Sequence, residues 1–485
     1  MKAEPERSDR GASRADARIL IAGAFRDGAS QAPVYDKYTR AVRAAAHIPS
    51  RAQVGEAVGV LHEAFAGNRL TPYERGAILA RAGLILERRG EELVEVLQAE
   101  AGFTRADAMG EIFRCVETFR LCAEEARRLA GEVVPIGGAP QQKNRLGLTL
   151  RVPLGVVAAI TPFNAPLNTV AHKVGPALAA GNAVLVKPSL HTPSPANLLA
   201  EVLLEAGLPP GLIAVLHGGG EVVKWIADEA RVRFFAFTGS TEVGALIQQY
   251  AGLRRTQMEL GSIAFTYLAD DADLDAALPK IVNAAYRKAG QVCTSVQNLL
   301  VHERRMAEVE RRLAPMVAAM VAGNPRDPQT RIGPVISPAA ADRIGNWIDE
   351  ALAGGARRLA GGERVGSIIP ATLLADLPPL TPVGCREVFG PVMSLVPVAS
   401  LDEAIERINS TPYGLAAGVF TNRMDDAIRA AHALQVGNVF INEASSARVD
   451  LMPYGGSKDS GFGREGPRSA VREMTEERLV TFTTN

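Results

Sequence analysis

Cysteine is scarce in this chain: four residues in 485, at positions 115, 122, 293 and 385. None falls in a CxxC or CxxH arrangement, so no metal site is expected from them. Few thiols and no export signal also exclude a disulfide framework, and free thiols in a reducing cytoplasm are expected. Neither sign of charge is in excess, with 53 basic and 53 acidic residues. That balance gives no electrostatic reason to expect nucleic acid or an anionic membrane as partner. No apolar run is long enough to cross a bilayer. The opening stretch "MKAEPERSDRGASRADAR" lacks the apolar core of a signal peptide and reads as a mobile tail. Low-complexity segments and internal repeats are absent as well. What remains is an ordinary globular composition, 47% hydrophobic and 22% charged. A chain this long needs two or three domains.

Residues 50–132 space their apolar residues by three and four, as a buried helix face requires. Cys115 and Cys122 lie on that stripe, where packing explains them. "RLGLTLRVPLG" alternates like a strand with one exposed face, suited to an arm reaching toward another subunit. From residue 154 near-continuous apolar strands alternate with helices, the pattern of a parallel sheet covered on both faces. Such sheets bind ligands at the carboxyl ends of their strands. A second α/β series begins near residue 264 and includes "NLLVHE", "PVMSLVPV", "LAAGVFT" and "GNVFIN".

Several residues stand where chemistry is done, each with a bland alternative. In "FTGSTEVG", Gly239 and Gly244 frame a strand-to-helix turn whose N–H groups suit a phosphate. The pattern departs from G-x-G-x-x-G, and a plain turn explains it as well. Lys187 ends a strand on the same sheet edge. It is either solvated or a cation for a nucleotide. Glu259, in "MELGS", is an exposed carboxylate or a buried general base. Asn164, in "ITPFNAP", is a turn cap or a donor to an oxyanion. Cys293, in "GQVCTSVQ", breaks the helical pattern among polar neighbours. Local spacing alone leaves packing and nucleophile equally open.

Eight segments in order resemble the aldehyde dehydrogenase superfamily, from about residue 20 to the C-terminus: "ITPFNAPLN", "GPALAAGNAVLVKPS", "FTGSTEVG", "MELGS", "GQVCTSVQ", "REVFGPV", "YGLAAGVFT" and "MPYGGSKDSGFGREG". The resemblance implies an α/β fold: a Rossmann-like parallel-sheet cofactor domain, an α/β catalytic domain and a small β oligomerisation element. The cofactor domain would comprise 1–134 and 154–261, the arm 135–153, the catalytic domain 262–459, and the C-terminal oligomerisation segment 460–485. By the same resemblance Cys293 is the nucleophile that forms a thiohemiacetal and then a thioester. Asn164 and the Cys293 N–H form the oxyanion hole, and Glu259 activates water. Lys173 and Glu465 relay protons. NAD or NADP would be held by Thr161, Phe163, Lys187, Ser189, Leu190, Gly239, Ser240, Val243, Leu260, Glu387 and Phe389. A homodimer or homotetramer acting on a small aldehyde is implied.

The sequence also departs from the family. Many NAD-preferring members carry "KPSE", with a glutamate for the adenosine ribose. Here "KPSLHTP" places Leu190 there and His191 beside it, which tips the expectation toward NADP without removing NAD. The helix after Asn164 places Ala165, Asn168, Thr169 and His172 where apolar-aldehyde members often carry bulky apolar side chains; Val292 and Thr294 flank the cysteine, and Ser445, Ser446 and Arg448 lie on the other wall. A hydroxylated or anionic aldehyde fits such a pocket, as in lactaldehyde- and semialdehyde-type members. Arg448 is read either as the anion's anchor or as an exposed loop arginine. His172 is alternatively a core histidine bonded to backbone. Coenzyme-A-acylating members are an alternative, against which Glu259 argues. A non-catalytic binding protein should have lost Cys293, Asn164 or Glu259. A cysteine hydrolase would want a histidine beside the thiol.

Overall fold

The computed structural model describes residues 16–483. Residues 1–15 of the expected tail lie outside the described residues. The last part of that tail is not loose. Ala17 is buried and bridges Ala46, and Asp16 Oδ1 accepts from the Ala45 N–H at 2.8 Å.

After four short strands, Ile19–Ile21, Ala24–Arg26, Ser30–Tyr35 and Val42–Ile48, come four helices: Arg51–Gly67, Pro72–Arg88, Gly90–Ala101 and Arg105–Arg128. Their starts follow from the sequence. Ser50 and Thr71 each form a capping box with the residue three further on, and Thr104 caps the fourth helix. Each such cap contributes about 1 kcal/mol. Cys115 and Cys122 are fully buried on the fourth helix, as the apolar stripe predicts.

The apolar strands assemble into an eight-stranded sheet. Its parallel centre runs Arg255–Glu259, Val232–Thr238, Val156–Ile160, Ala183–Lys187 and Ile213–Val215. Val156–Ile160 and Ala183–Lys187 are buried at every position, because helices cover both faces. The register sets Glu259 beside Thr238, Phe237 beside Ile160, and Ile160 beside Lys187. Thr161, Lys187, Gly239 and Leu260 therefore share one carboxyl-terminal sheet edge.

A second, seven-stranded sheet holds Thr372–Ala375, Val392–Val398, Asn298–His302, Phe265–Leu268, Ala416–Phe420 and Asn438–Ile441 in parallel, with Arg357–Ala360 as its antiparallel edge. Glu259 ends a strand of the first sheet, and Cys293 precedes Asn298–His302 of the second. The crevice between the sheets thus receives the carboxyl ends of one and an amino end of the other.

Arg145–Pro153 pairs antiparallel with Thr475–Thr483 along its whole length, and with Val133–Val134 on its other side. Leu146, Leu150, Leu479 and Phe482 remain exposed on this small sheet. The segment after residue 460 is more than part of an arm. Gly461–Phe462 joins the edge of the large sheet beside Met258 and Glu259, and helix Pro467–Glu473 packs on helix Asn168–Ala180. Among the described residues no helix is long and apolar enough to cross a membrane.

Candidate active site

The backbone before Cys293 is forced into an uncommon shape. Lys288, Ala289 and Gly290 all take left-handed conformations, with φ of 52°, 54° and 69°. A Cβ on Gly290 would lie 2.0 Å from the Gly390 carbonyl oxygen, so only glycine fits there. This turn leaves Cys293 half-buried at the mouth of the crevice. Its Sγ lies 3.1 Å from the Tyr454 hydroxyl, and the Glu259 carboxyl stands near enough to act on it electrostatically. Burial, and then the Glu259 charge, push the thiol well above its usual range, while Tyr454 and Arg448 act in the opposite sense.

Glu259 is buried, and its Oε1 has no partner. Burial and the nearby Glu465 charge raise it to about 7. An acid so placed exchanges protons near neutrality. Glu465 goes the other way. Burial raises it, but Lys173 and Arg448 outweigh burial and hold it below the usual carboxylate range. Lys173 Nζ donates to Glu465 Oε1 at 2.8 Å, Arg448 Nη2 to Oε2 at 3.0 Å, and the Thr238 hydroxyl to Oε1 at 3.1 Å. Two neighbouring carboxyl groups are thus driven apart, one proton-binding at neutral pH and one ionised.

Asn164 lies in the loop between Val156–Ile160 and helix Asn168–Ala180. Its carbonyl accepts from Lys288 Nζ at 3.2 Å, and its side-chain amide makes no hydrogen bond to any described residue. Lys288 also meets Glu111 Oε2 at 2.6 Å and stands over the Phe103 ring. Glu111 Oε1 in turn accepts the Asn168 N–H at 2.8 Å and the Leu167 N–H at 3.3 Å. One buried ion pair therefore ties the loop of Asn164 to the turn of Cys293. Its role had no sequence signal beyond a lysine in an otherwise buried turn.

The expected substrate wall is only partly there. Asn168 and His172 are buried and turned toward Asp450: Asn168 Nδ2 donates to Asp450 Oδ1 at 3.0 Å, and His172 Nε2 lies 2.8 Å from the same oxygen. Thr118 contacts both, and Arg114 grips Asp450 with two bonds. These residues brace the helices and do not line the mouth. His172 is a core histidine, bonded to side chains and not to backbone. Ser445 is also buried, donating to the Thr294 carbonyl at 2.9 Å. Arg448 is not an exposed loop arginine. Its guanidinium stacks 3.9 Å above the Tyr454 ring and is paired with Glu465. Thr169 and Ala165 are half-buried, as are Val292 and Ser446.

Arg287 went unnoticed in the sequence. It donates to Ser446 Oγ at 2.5 Å and to the Ser446 carbonyl at 3.4 Å. Ser446 Oγ also accepts from the Thr294 hydroxyl at 3.2 Å, next to Cys293. The available signal was its place six residues before the cysteine, inside the helix-like run.

The sheet edge fits a dinucleotide. Ser240 caps helix Thr241–Ala251 by accepting the Val243 N–H at 3.4 Å, which leaves the N–H groups of the helix's first two residues for an anion. A Cβ on Gly239 would strike the Phe237 ring at 2.4 Å, and one on Gly244 would strike Leu260 at 2.4 Å. Leu260 thus seats the helix against the strand. Thr161 Oγ1 is buried without a partner at the next strand end. Lys187 is buried, not solvated, and its Nζ donates to the Gly218 carbonyl at 2.9 Å; burial lowers it to about 8. Glu387 accepts the Ser262 N–H at 3.1 Å and is raised to about 7 by burial. Phe389 and Phe163 meet edge-to-face, with centroids 5.6 Å apart. The Ser189 hydroxyl accepts the His191 N–H, and Leu190 packs on the small apolar cluster of Ala17, Val34, Ala44 and Ala46.

Comparison with known proteins agrees with this layout. The sequence model of the aldehyde dehydrogenase family matches residues 25–480. The chain belongs to the aldehyde dehydrogenase family. A 3-sulfolactaldehyde dehydrogenase of Priestia aryabhattai is 42% identical, over 96% of this chain and 97% of the relative. Aldehyde dehydrogenase 21 of Physcomitrella patens, solved with the reaction product succinate, superposes with a TM-score of 0.94 at 35% identity, covering 96% of this chain and 98% of that one. The NADP-dependent glyceraldehyde-3-phosphate dehydrogenase of Bacillus halodurans, solved with NADP, gives 0.94 at 32% identity, over 96% and 99%. This aldehyde dehydrogenase is therefore an oxidoreductase that oxidises aldehydes with NAD or NADP.

Proposed function

We propose that this enzyme oxidises a small anionic aldehyde to its carboxylic acid, with the substrate's anion held by Arg287. One observation carries the reading. Every other cation around the thiol has a carboxylate: Arg114 has Asp450, Arg448 and Lys173 share Glu465, and Lys288 has Glu111. Arg287 has none within ion-pair distance among the described residues, although burial and Arg114 both disfavour its charge. A part-buried unpaired cation is costly, and an anionic ligand relieves that cost. Ser446 and Thr294 add hydroxyls beside it. The relatives named above as acting on sulfolactaldehyde, or yielding succinate, favour a sulfonate or carboxylate as that anion.

The chain's own groups supply the remaining chemistry. Cys293 Sγ attacks the carbonyl carbon, giving a thiohemiacetal. Asn164 and the Cys293 N–H hold the oxyanion. One such donor is worth about 3 kcal/mol in the transition state. Glu387 and Phe389 would hold a nicotinamide at the sheet edge, and that group would supply the hydride acceptor; Cys293 holds the acyl group as a thioester. Glu259 takes a proton from water, whose oxygen displaces the sulfur. A carboxyl poised near 7 supports water as acceptor over a coenzyme thiol. Lys173 and Glu465 serve as the proton outlet.

Leu190 supports NADP over NAD, since no carboxylate meets the adenosine ribose there. The large sheet with helices from 1–134 and 154–261 forms the cofactor domain, and 262–459 the catalytic domain. The exposed apolar edge of Arg145–Pro153 and Thr475–Thr483 supports a homodimer or homotetramer. A monomer in sedimentation would sink that part. Four unpaired cysteines suit a reducing compartment.

The test is nicotinamide reduction with a panel of sulfonated, carboxylated and neutral small aldehydes, for wild type and Arg287→Gln. The substitution should raise KM for the anionic aldehydes by about 30- to 100-fold, the worth of a charge-assisted contact, and leave neutral aldehydes within about threefold. Equal losses on both classes would refute the anion assignment.

A further inference from the structure

The Cys293 thiol has a second neighbour besides Glu259: the phenol of Tyr454, 3.1 Å away and 161 residues distant in sequence. Tyr454 is almost fully buried and tightly held. Its N–H and carbonyl both bond the backbone of Glu465, at 3.0 and 2.6 Å. The Arg448 guanidinium lies 3.9 Å above the ring. A cation over a phenol draws electron density from it and makes the hydroxyl a better donor. Arg448 cannot drift, because Glu465 holds it.

We propose that Tyr454 is a catalytic residue whose hydroxyl donates to Cys293 Sγ whenever the sulfur carries negative charge. The proposal rests on Cys293 being the nucleophile. The sulfur is anionic at two moments. The first is attack, after the thiol proton has passed to Glu259. The second is release of the acid: the water oxygen, its proton given to Glu259, forms the new C–O bond, the C–S bond breaks, and its electron pair returns to Sγ. In the thioester between them the sulfur is a poor acceptor, so the phenol has least to hold there. One donor thus assists both the entry and the exit of the sulfur. The need for it is local. Burial and a facing carboxylate both oppose the thiolate, and the phenol hydrogen bond opposes them.

The two possible directions of this hydrogen bond give opposite results. The experiment follows inactivation of the full-length enzyme by iodoacetamide against pH. A Cys385→Ser background removes the exposed thiol, while Cys115 and Cys122 are buried. Losing a donor to a charged acceptor is worth about tenfold in thiolate population. A more basic thiolate is about threefold more nucleophilic. Tyr454→Phe should therefore move the profile up by about one pH unit, slow alkylation at pH 7 about three- to fourfold, and raise the alkaline plateau about threefold. Simple loosening of the site would not cross the curves in this way. An unmoved or lowered midpoint overturns the proposal, because the phenol is then idle or accepts from the thiol. If the Phe variant does not fold, 3-fluorotyrosine in place of Tyr454, a more acidic donor, must lower the midpoint. No lowering overturns the proposal equally. Failure of the underlying reading looks different: alkylation of Cys293 would then leave nicotinamide reduction intact.

Discussion

Glu465→Gln tests the electrostatics around Glu259 most directly. The replacement keeps shape and removes one negative charge. In the wild type, burial and then Glu465 hold the Glu259 carboxyl near 7. Removing Glu465's charge has two effects of the same sign. The repulsion disappears, and Lys173 and Arg448 lose the carboxylate that offsets them. A nearby unit charge, at an effective dielectric of about 20, is worth on the order of 2 kcal/mol. Residual solvent and relaxation reduce this to about one pKa unit, or roughly 1.4 kcal/mol. Less negative charge nearby favours ionised Glu259, so its midpoint falls to about 6. At pH 6 the ionised fraction then rises from roughly a tenth to roughly a half, by the same one-unit shift. A weaker base gives back part of that gain. The midpoint of acyl-enzyme hydrolysis against pH should therefore fall from about 7 to about 6, while its plateau drops because Glu465 no longer serves as proton outlet. Single-turnover hydrolysis across pH 5–9, scaled to folded enzyme by cofactor binding, measures it. A midpoint that stays near 7 or rises would refute the reasoning.

Two further outcomes follow from the same structure. Glu259 has a folded-state value raised above its unfolded one, so the folded state binds the extra proton. Its stability is therefore full below about 4.5 and is lost as pH rises through about 7. Glu259→Gln should be more stable than wild type above pH 7, by about 2–3 kcal/mol, and no more stable at pH 4.5; unfolding rates at the two pH values decide it. Leu190→Glu restores a carboxylate to the ribose edge and should shift the ratio of kcat/KM values toward NAD by at least about tenfold. An unchanged ratio would remove Leu190 from the account of cofactor choice.

The wrong expectations share one cause. Asn168 and His172 are four apart, so the sequence places them on one helix face. It does not say which neighbour that face meets. The face turned out to meet helix Arg105–Arg128 and Asp450, far along the chain, and became bracing. For Arg448 the sequence leaves an anion anchor and an exposed loop arginine equally open; the stacked Tyr454 ring and the paired Glu465 half-bury it. Arg287 carries no motif of its own in the helix-like run before the cysteine. Its lack of a counter-charge is a property of everything around it.

What the sequence determined by itself is local and periodic. Apolar runs of period-free strands and helices of three-and-four spacing define the two α/β series. The ordered motifs carry the family resemblance, through which a nucleophile, base and oxyanion donor are proposed. Only the tertiary structure decided the charges. Whether Glu259 sits near 7, Glu465 stays ionised, Arg287 is left unpaired and Tyr454 reaches the thiol depends on distances between segments far apart in sequence. Electrostatic energy follows distance and burial, and neither can be read from spacing along a chain.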